Sequence, residues 1–126
     1  MRLAHASPHA SALIDGVRFW RLARDSGTPV QPLLASAYSI AGDALLAPVI
    51  DGLLKLYEAG FRRRFDAGDP SDGDLTCDEE RLLALLDLDD ELPPDVRPNL
   101  VGALRAALRS TRIVLRMVLA ARTGSA

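Results

Sequence analysis

The sequence predicts an all-α fold, either a small bundle of four or five helices or an irregular orthogonal helical domain. Three observations lead there. Apolar residues recur at three- and four-residue spacing in separate stretches, proline and glycine punctuate the intervals, and no stretch alternates apolar and polar residues as a half-buried strand does. At 126 residues and 48% hydrophobic content the chain suits one domain, burying about two-thirds of its unfolded surface without metals or disulfides. Residues 1–126 are therefore expected to form a single unit, with mobile ends at 1–6 and 122–126 and an acidic loop at 66–75.

The first helix starts near Ser7-Pro8 or Ser11, because serine caps a first turn and proline is tolerated at its opening position. It runs to about Asp25. Leu13, Ile14, Val17 and Trp20 form its apolar face, widened by Phe19 and Leu22, and Arg18, Arg21 and Arg24 form a basic flank. Gly27, Thr28 and Pro29 end it. A second helical stretch starts near Gln31-Pro32 and includes Leu33, Leu34, Tyr38 and Ile40. Gly42-Asp43 either separates it from the next helix or bends one long helix together with Pro48; two elements are preferred.

From about Pro48 to Phe65, Ile50, Leu53, Leu54, Tyr57 and Phe61 follow the spacing of a buried face. Opposite them Asp51, Lys55, Glu58 and Arg62 alternate in sign and predict an exposed ladder of ion pairs, each contributing about 0.2–0.5 kcal/mol. Gly52 and Gly60 weaken the helix and mark candidate close crossings. The stretch AGDPSDGD reads as a loop, and Thr76-Cys77-Asp78-Glu79 matches a capping box that opens a short helix through Leu86. Pro93-Pro94 and Pro98 punctuate the next connection. The last helix is expected from about Pro98 or Asn99 to Ala121, with Val101, Leu104, Leu108, Thr111, Leu115 and Val118 as its seam.

The formal charge of −2 conceals strong segregation: +3 over residues 1–65, −11 over 66–95 and +6 over 96–126, where no carboxylate occurs. Such polarity bears on association more than on fold. Arg105, Arg109, Arg112 and Arg116 line roughly 16 Å of one flank of the last helix at 1.5 Å per residue. The plainest reading of this stripe is a solvated flank whose stems cover apolar surface. Among functional readings the first is an interaction surface made of Leu104, Arg105, Leu108, Arg109, Arg112, Leu115, Arg116 and Val118. Its partner would be another protein or a second copy of the chain, with apolar contact supplying most of the affinity.

Arg62, Arg63 and Arg64 form a second basic cluster at a predicted helix end. They read first as a complement to the helix dipole and otherwise as an anion site, although three adjacent residues converge only if the helix ends within them. Together with the arginine stripe they support an alternative function, a small-anion or nucleic-acid-binding regulator. No recognition-helix, zinc-finger or aromatic RNA-binding pattern accompanies them, so nucleic acid is disfavoured. Aligning Gly73 with the central glycine of a calcium-binding loop puts Gly68 and Pro70 where the first two oxygen ligands belong, which argues against an EF-hand-like site.

Cys77 and the pair His5 and His9 do not complete a redox or metal constellation. Adjacent Asp89, Asp90 and Glu91 are not a convergent acid–base pair. No cofactor or metal site is predicted and no catalytic residue is assigned, which leaves an enzymatic or ligand-binding domain with an unrecognised site as a second alternative. A single cysteine excludes an internal disulfide and points to the cytoplasm. No apolar run reaches the roughly 18 residues of a membrane span, and the opening MRLAHASPHA lacks a continuous signal-peptide core.

Overall fold

The computed structural model describes residues 8–30, 32, 46–87 and 92–124. Among them are four α-helices and no strand: α1 (Pro8–Ser26), α2 (Leu46–Phe61), α3 (Cys77–Asp87) and α4 (Val101–Gly124), the last preceded by a 3-10 turn at Pro98–Leu100. They form an orthogonal helical bundle. The second predicted helical stretch at 33–40, and its junction with α2, lie outside the described residues.

Each helix contributes the face its periodicity predicts. Leu13, Val17 and Trp20 of α1, Ile50, Leu53, Leu54 and Tyr57 of α2, and Leu104, Leu108, Leu115 and Val118 of α4 share one buried cluster. The helix α4 packs chiefly along α2, and α1 lies against both. Leu82 and Leu85 join the cluster from α3, with Phe65 and Val96 from the connections. Tyr57 stacks between Phe61 and Phe65 at centroid distances of 4.5 and 4.9 Å, a favourable edge-and-tilt arrangement. Gly60 is buried where α2 meets Val96 and Leu104, and its carbonyl accepts from Arg97 N at 2.9 Å. Gly52, by contrast, is exposed and marks no crossing.

Two helices end in the same backbone motif. Gly27 follows α1 at φ 71°, with Thr28 N bonded to Ala23 O and Gly27 N to Arg24 O. Arg62 follows α2 at φ 59°, with Arg63 N bonded to Glu58 O. These are six-to-one closures around a left-handed residue. This explains why α2 stops at Phe61, four residues before the predicted end. A side chain at a left-handed position costs about 1–2 kcal/mol, part of which glycine forfeits through its freer unfolded chain. Arg62→Gly is therefore expected to raise stability by roughly 0.5–1 kcal/mol, seen as a higher urea midpoint; a lower midpoint would contradict this account.

Two charge assignments need correction. Arg18 does not belong to an exposed basic flank, for its side chain is fully buried, and Arg21 is nearly so. The alternating ladder on α2 is also not an exposed one. Asp51 is buried, pairing with Lys55 at 3.1 Å and accepting from Trp20 Nε1 at 2.8 Å. Glu58 turns to Arg21 of α1 and to the Phe65 amide. The physical reason is shared: an indole N–H and a guanidinium brought inside the bundle require acceptors there.

Candidate functional site

The predicted capping box forms and then does more than cap. Thr76 N donates to Glu79 Oε1 at 2.9 Å, and Glu79 N to Thr76 Oγ1 at 3.1 Å. Arg18 reaches across from α1 and donates through Nε and Nη2 to the two Glu79 oxygens at 2.9 and 3.0 Å. It also donates to the loop carbonyls of Asp72 and Asp74 at 2.6 and 2.9 Å. Gly68 N donates to the same carboxylate at 3.1 Å, and a Cβ at Gly68 would stand 3.0 Å from Asp72 Oδ2 and 3.1 Å from Arg18 Nη2, so a larger residue would require these side chains to shift by a few tenths of an ångström.

Asp78, one residue earlier, has a parallel role. It accepts from Tyr57 Oη at 3.0 Å, from both terminal nitrogens of Arg63, and from Asp66 N at 2.7 Å. Each of the two carboxylates thus accepts four hydrogen bonds, the full capacity of the group. Burial opposes ionisation of both, but these bonds outweigh it and hold both below the ordinary carboxylate range. The loop over residues 66–76 is consequently wound about buried charge while its aspartates at 66, 69, 72 and 74 remain exposed.

This geometry predicts acid lability. Asp78 and Glu79 have folded pKa values lowered from their unfolded ones, so their contribution is present above the unfolded values of about 4 and is lost as pH falls through the lower folded values. Asp15 runs the opposite way, its pKa raised by burial against a smaller opposing effect of Arg18. The urea midpoint is expected to fall steeply below about pH 4, with less steepness in Asp78→Asn. A midpoint flat from pH 5 to about pH 2.5 would contradict it.

The arginine cluster at 62–64 does not converge. Arg63 goes to Asp78 and Arg64 to Asp25 at 2.5 Å, while Arg62 closes α2. An incoming anion would have to displace two carboxylates on different helices. Among the described residues, the cations paired with the acidic segment include Arg18 and Arg63 from the first half of the chain and its own Arg81, which pairs with Asp95 at 3.0 Å and lies 4.1 Å over the Phe61 ring. The C-terminal stripe meets that segment through Arg112 Nε, which donates to Leu86 O at 2.7 Å and so satisfies a carbonyl at the end of α3.

The predicted interaction surface divides in two. Leu104, Leu108, Leu115 and Val118 are spent in the chain's own core, at 0–6% exposure. Arg109 and Arg116 are exposed, with Arg105 and Arg112 partly covered. On the opposite side of α4, Ile113 and Met117 stand one turn apart at 49% and 58% exposure. Gly102, Ala106, Ser110 and Ala120 are exposed on that same side. At 3.6 residues per turn these six positions fall within roughly 80° of arc, facing away from the core leucines. Sequence reasoning missed this face; the signal was Ile113 and Met117, four apart and left over once the seam is assigned inward.

Among the described residues no group of three or more histidine, cysteine or acidic side chains is placed to hold a metal ion, and no helix is long and apolar enough to cross a membrane. Cys77 is exposed and forms no disulfide. Comparison with protein-family models, with curated proteins and with solved structures finds no match to this chain.

Proposed function

We propose that this chain is a non-enzymatic helical interaction module, working in a reducing cytoplasmic compartment, whose docking face is the outer side of α4. The observation that carries this reading is the pair Ile113 and Met117, exposed on a helix whose opposite face is fully used in the core. Single exposed apolar residues are ordinary, but two large ones on a face otherwise built of small residues make a continuous surface that no element among the described residues covers. The buried network around Arg18, Asp78 and Glu79 fits the same reading. Its carboxylates are saturated and ionised, which suits a rigid support rather than proton transfer.

The test places a photo-crosslinking amino acid at position 113 and, as control, at exposed Ala84 of α3, in the native host. A protein adduct specific to 113, followed by binding of the purified partner that Met117→Asp weakens, supports the reading. Absence of any adduct specific to 113, or equal binding by the variant, overturns it.

A further inference from the structure

We infer that Asp72 is a site of spontaneous backbone modification, where the buried Arg18 promotes conversion of the Asp72-Gly73 linkage to isoaspartate. The observation that carries it is Arg18 Nη1, which donates at 2.6 Å to the Asp72 carbonyl, part of the peptide group that contains the Gly73 nitrogen. Nε and Nη2 of the same guanidinium go to Glu79 and to the Asp74 carbonyl, which leaves Nη1 to this one acceptor.

The sequence holds three Asp-Gly pairs, Asp15-Gly16, Asp51-Gly52 and Asp72-Gly73. Glycine matters because its backbone nitrogen has no adjacent side chain to hinder attack. The first two pairs lie inside α1 and α2, where dihedrals are fixed and each N–H is bonded to the carbonyl four residues back. The third lies in the exposed loop before α3. Open space surrounds the place of a Gly73 Cβ, and the Gly73 N–H has no hydrogen-bond acceptor among the described residues.

The chemistry needs only the chain and water. The Gly73 nitrogen gives up its proton and attacks Cγ of the protonated Asp72 carboxyl. An N–Cγ bond forms, the Cγ–OH bond breaks, and the hydroxyl leaves with that proton as water. Water then adds to one carbonyl of the resulting succinimide. Breaking the N–Cγ bond restores aspartate. Breaking the bond from nitrogen to the former main-chain carbonyl gives isoaspartate, with the main chain running through Cβ and Cγ and a free carboxylate at the old carbonyl.

Arg18 assists twice. A cation hydrogen-bonded to the Asp72 carbonyl stabilises the negative charge left when the Gly73 nitrogen is deprotonated, and again the charge that develops when water adds to that carbonyl. One contact opposes closure: Asp72 Oδ2 accepts from Asp69 N at 2.9 Å and must be released. Losing such a bond slows the reaction about two- to tenfold, whereas a preorganised donor at a developing oxyanion contributes about a hundred- to a thousandfold. Glu79 shares the guanidinium's charge and reduces that gain, so the expected net effect is a modest acceleration.

The experiment holds the intact chain, its Gly73→Ala and Arg18→Gln variants, and a synthetic peptide of residues 66–76 as unfolded reference at neutral pH and physiological temperature for weeks. After digestion, isoaspartate is counted by enzymatic methylation of its free carboxylate and located by electron-transfer fragmentation. The parent is expected to accumulate it at position 72 at least about threefold faster than the peptide, with Asp15 and Asp51 unchanged. Gly73→Ala, which places a Cβ in open space, is expected to slow it. Arg18→Gln lacks the guanidinium whether or not its loop stays closed, and is expected to fall to the peptide's rate. Failure of the folded parent to form isoaspartate at position 72 while the peptide does, or equal conversion at all three Asp-Gly pairs, overturns the site. A parent rate no greater than the peptide's, or one that Arg18→Gln leaves unchanged, overturns the part assigned to Arg18.

Discussion

Arg18→Ala is expected to remove about 3–5 kcal/mol of folding stability, the range for breaking a buried ion pair by deleting one partner. Whole domains of this size hold only about 5–15 kcal/mol, so a large part of the margin goes with one side chain. The loss exceeds that of an exposed pair because Arg18 and Glu79 are both 0% exposed at their side chains. Deletion leaves Glu79 buried with two backbone donors, Gly68 N and Thr76 N, and no counter-ion. It also removes the guanidinium donors to the Asp72 and Asp74 carbonyls.

Arg18→Lys separates charge from geometry. An ammonium restores the sign but cannot supply the side-on pair to Glu79 together with two carbonyl contacts. We expect an intermediate loss in urea denaturation and faster amide exchange confined to residues 66–76. Replacing both partners by apolar residues, often harmless for a buried pair, is expected to fail here, because Glu79 is also the acceptor for the loop and helix amides. A loss below about 1 kcal/mol for Arg18→Ala would show that water replaces the guanidinium at little cost.

Arg18 also shows where the sequence stops being readable. Arg18, Arg21 and Arg24 at three-residue spacing look like a wetted helix flank, and nothing local separates the first from the others. What buries Arg18 is Glu79, 61 residues away, and only the closed bundle brings them together. The Thr76–Glu79 box was legible because its chemistry is complete within four residues. The core faces of α1, α2 and α4 were legible because period 3.6 is a local property. The arginines at 62–64 were legible in part: adjacency forbids convergence on a continuous helix, and the break after Phe61 sends Arg63 and Arg64 to different carboxylates. The outer face of α4 was obscured because the seam and the stripe, read without depth, both resembled a partner surface.

Leu104→Ala and Leu108→Ala are each expected to cost about 2–5 kcal/mol, since truncating a buried leucine forfeits its transfer free energy and leaves a cavity that closely packed neighbours fill incompletely. Met117→Asp, at 58% exposure, is expected to stay within about 0.5 kcal/mol of the parent. The contrast locates the cohesive side of the helix. If the leucine seam instead joined two chains, unfolding midpoints would rise with protein concentration, because association stabilises only the folded state. Leu104→Ala would then act mainly by weakening that dependence. With the seam buried against α2 inside one chain, the parent and both leucine variants are expected to unfold at midpoints independent of concentration over a hundredfold range, roughly RT ln 100 or 2.7 kcal/mol of mass-action leverage. A concentration-dependent midpoint abolished by Leu104→Ala would move the association surface back to the seam and leave Ile113 and Met117 as ordinary exposed residues. A concentration-independent one, with the large cost confined to the leucines, leaves the outer face as the side of α4 available for docking.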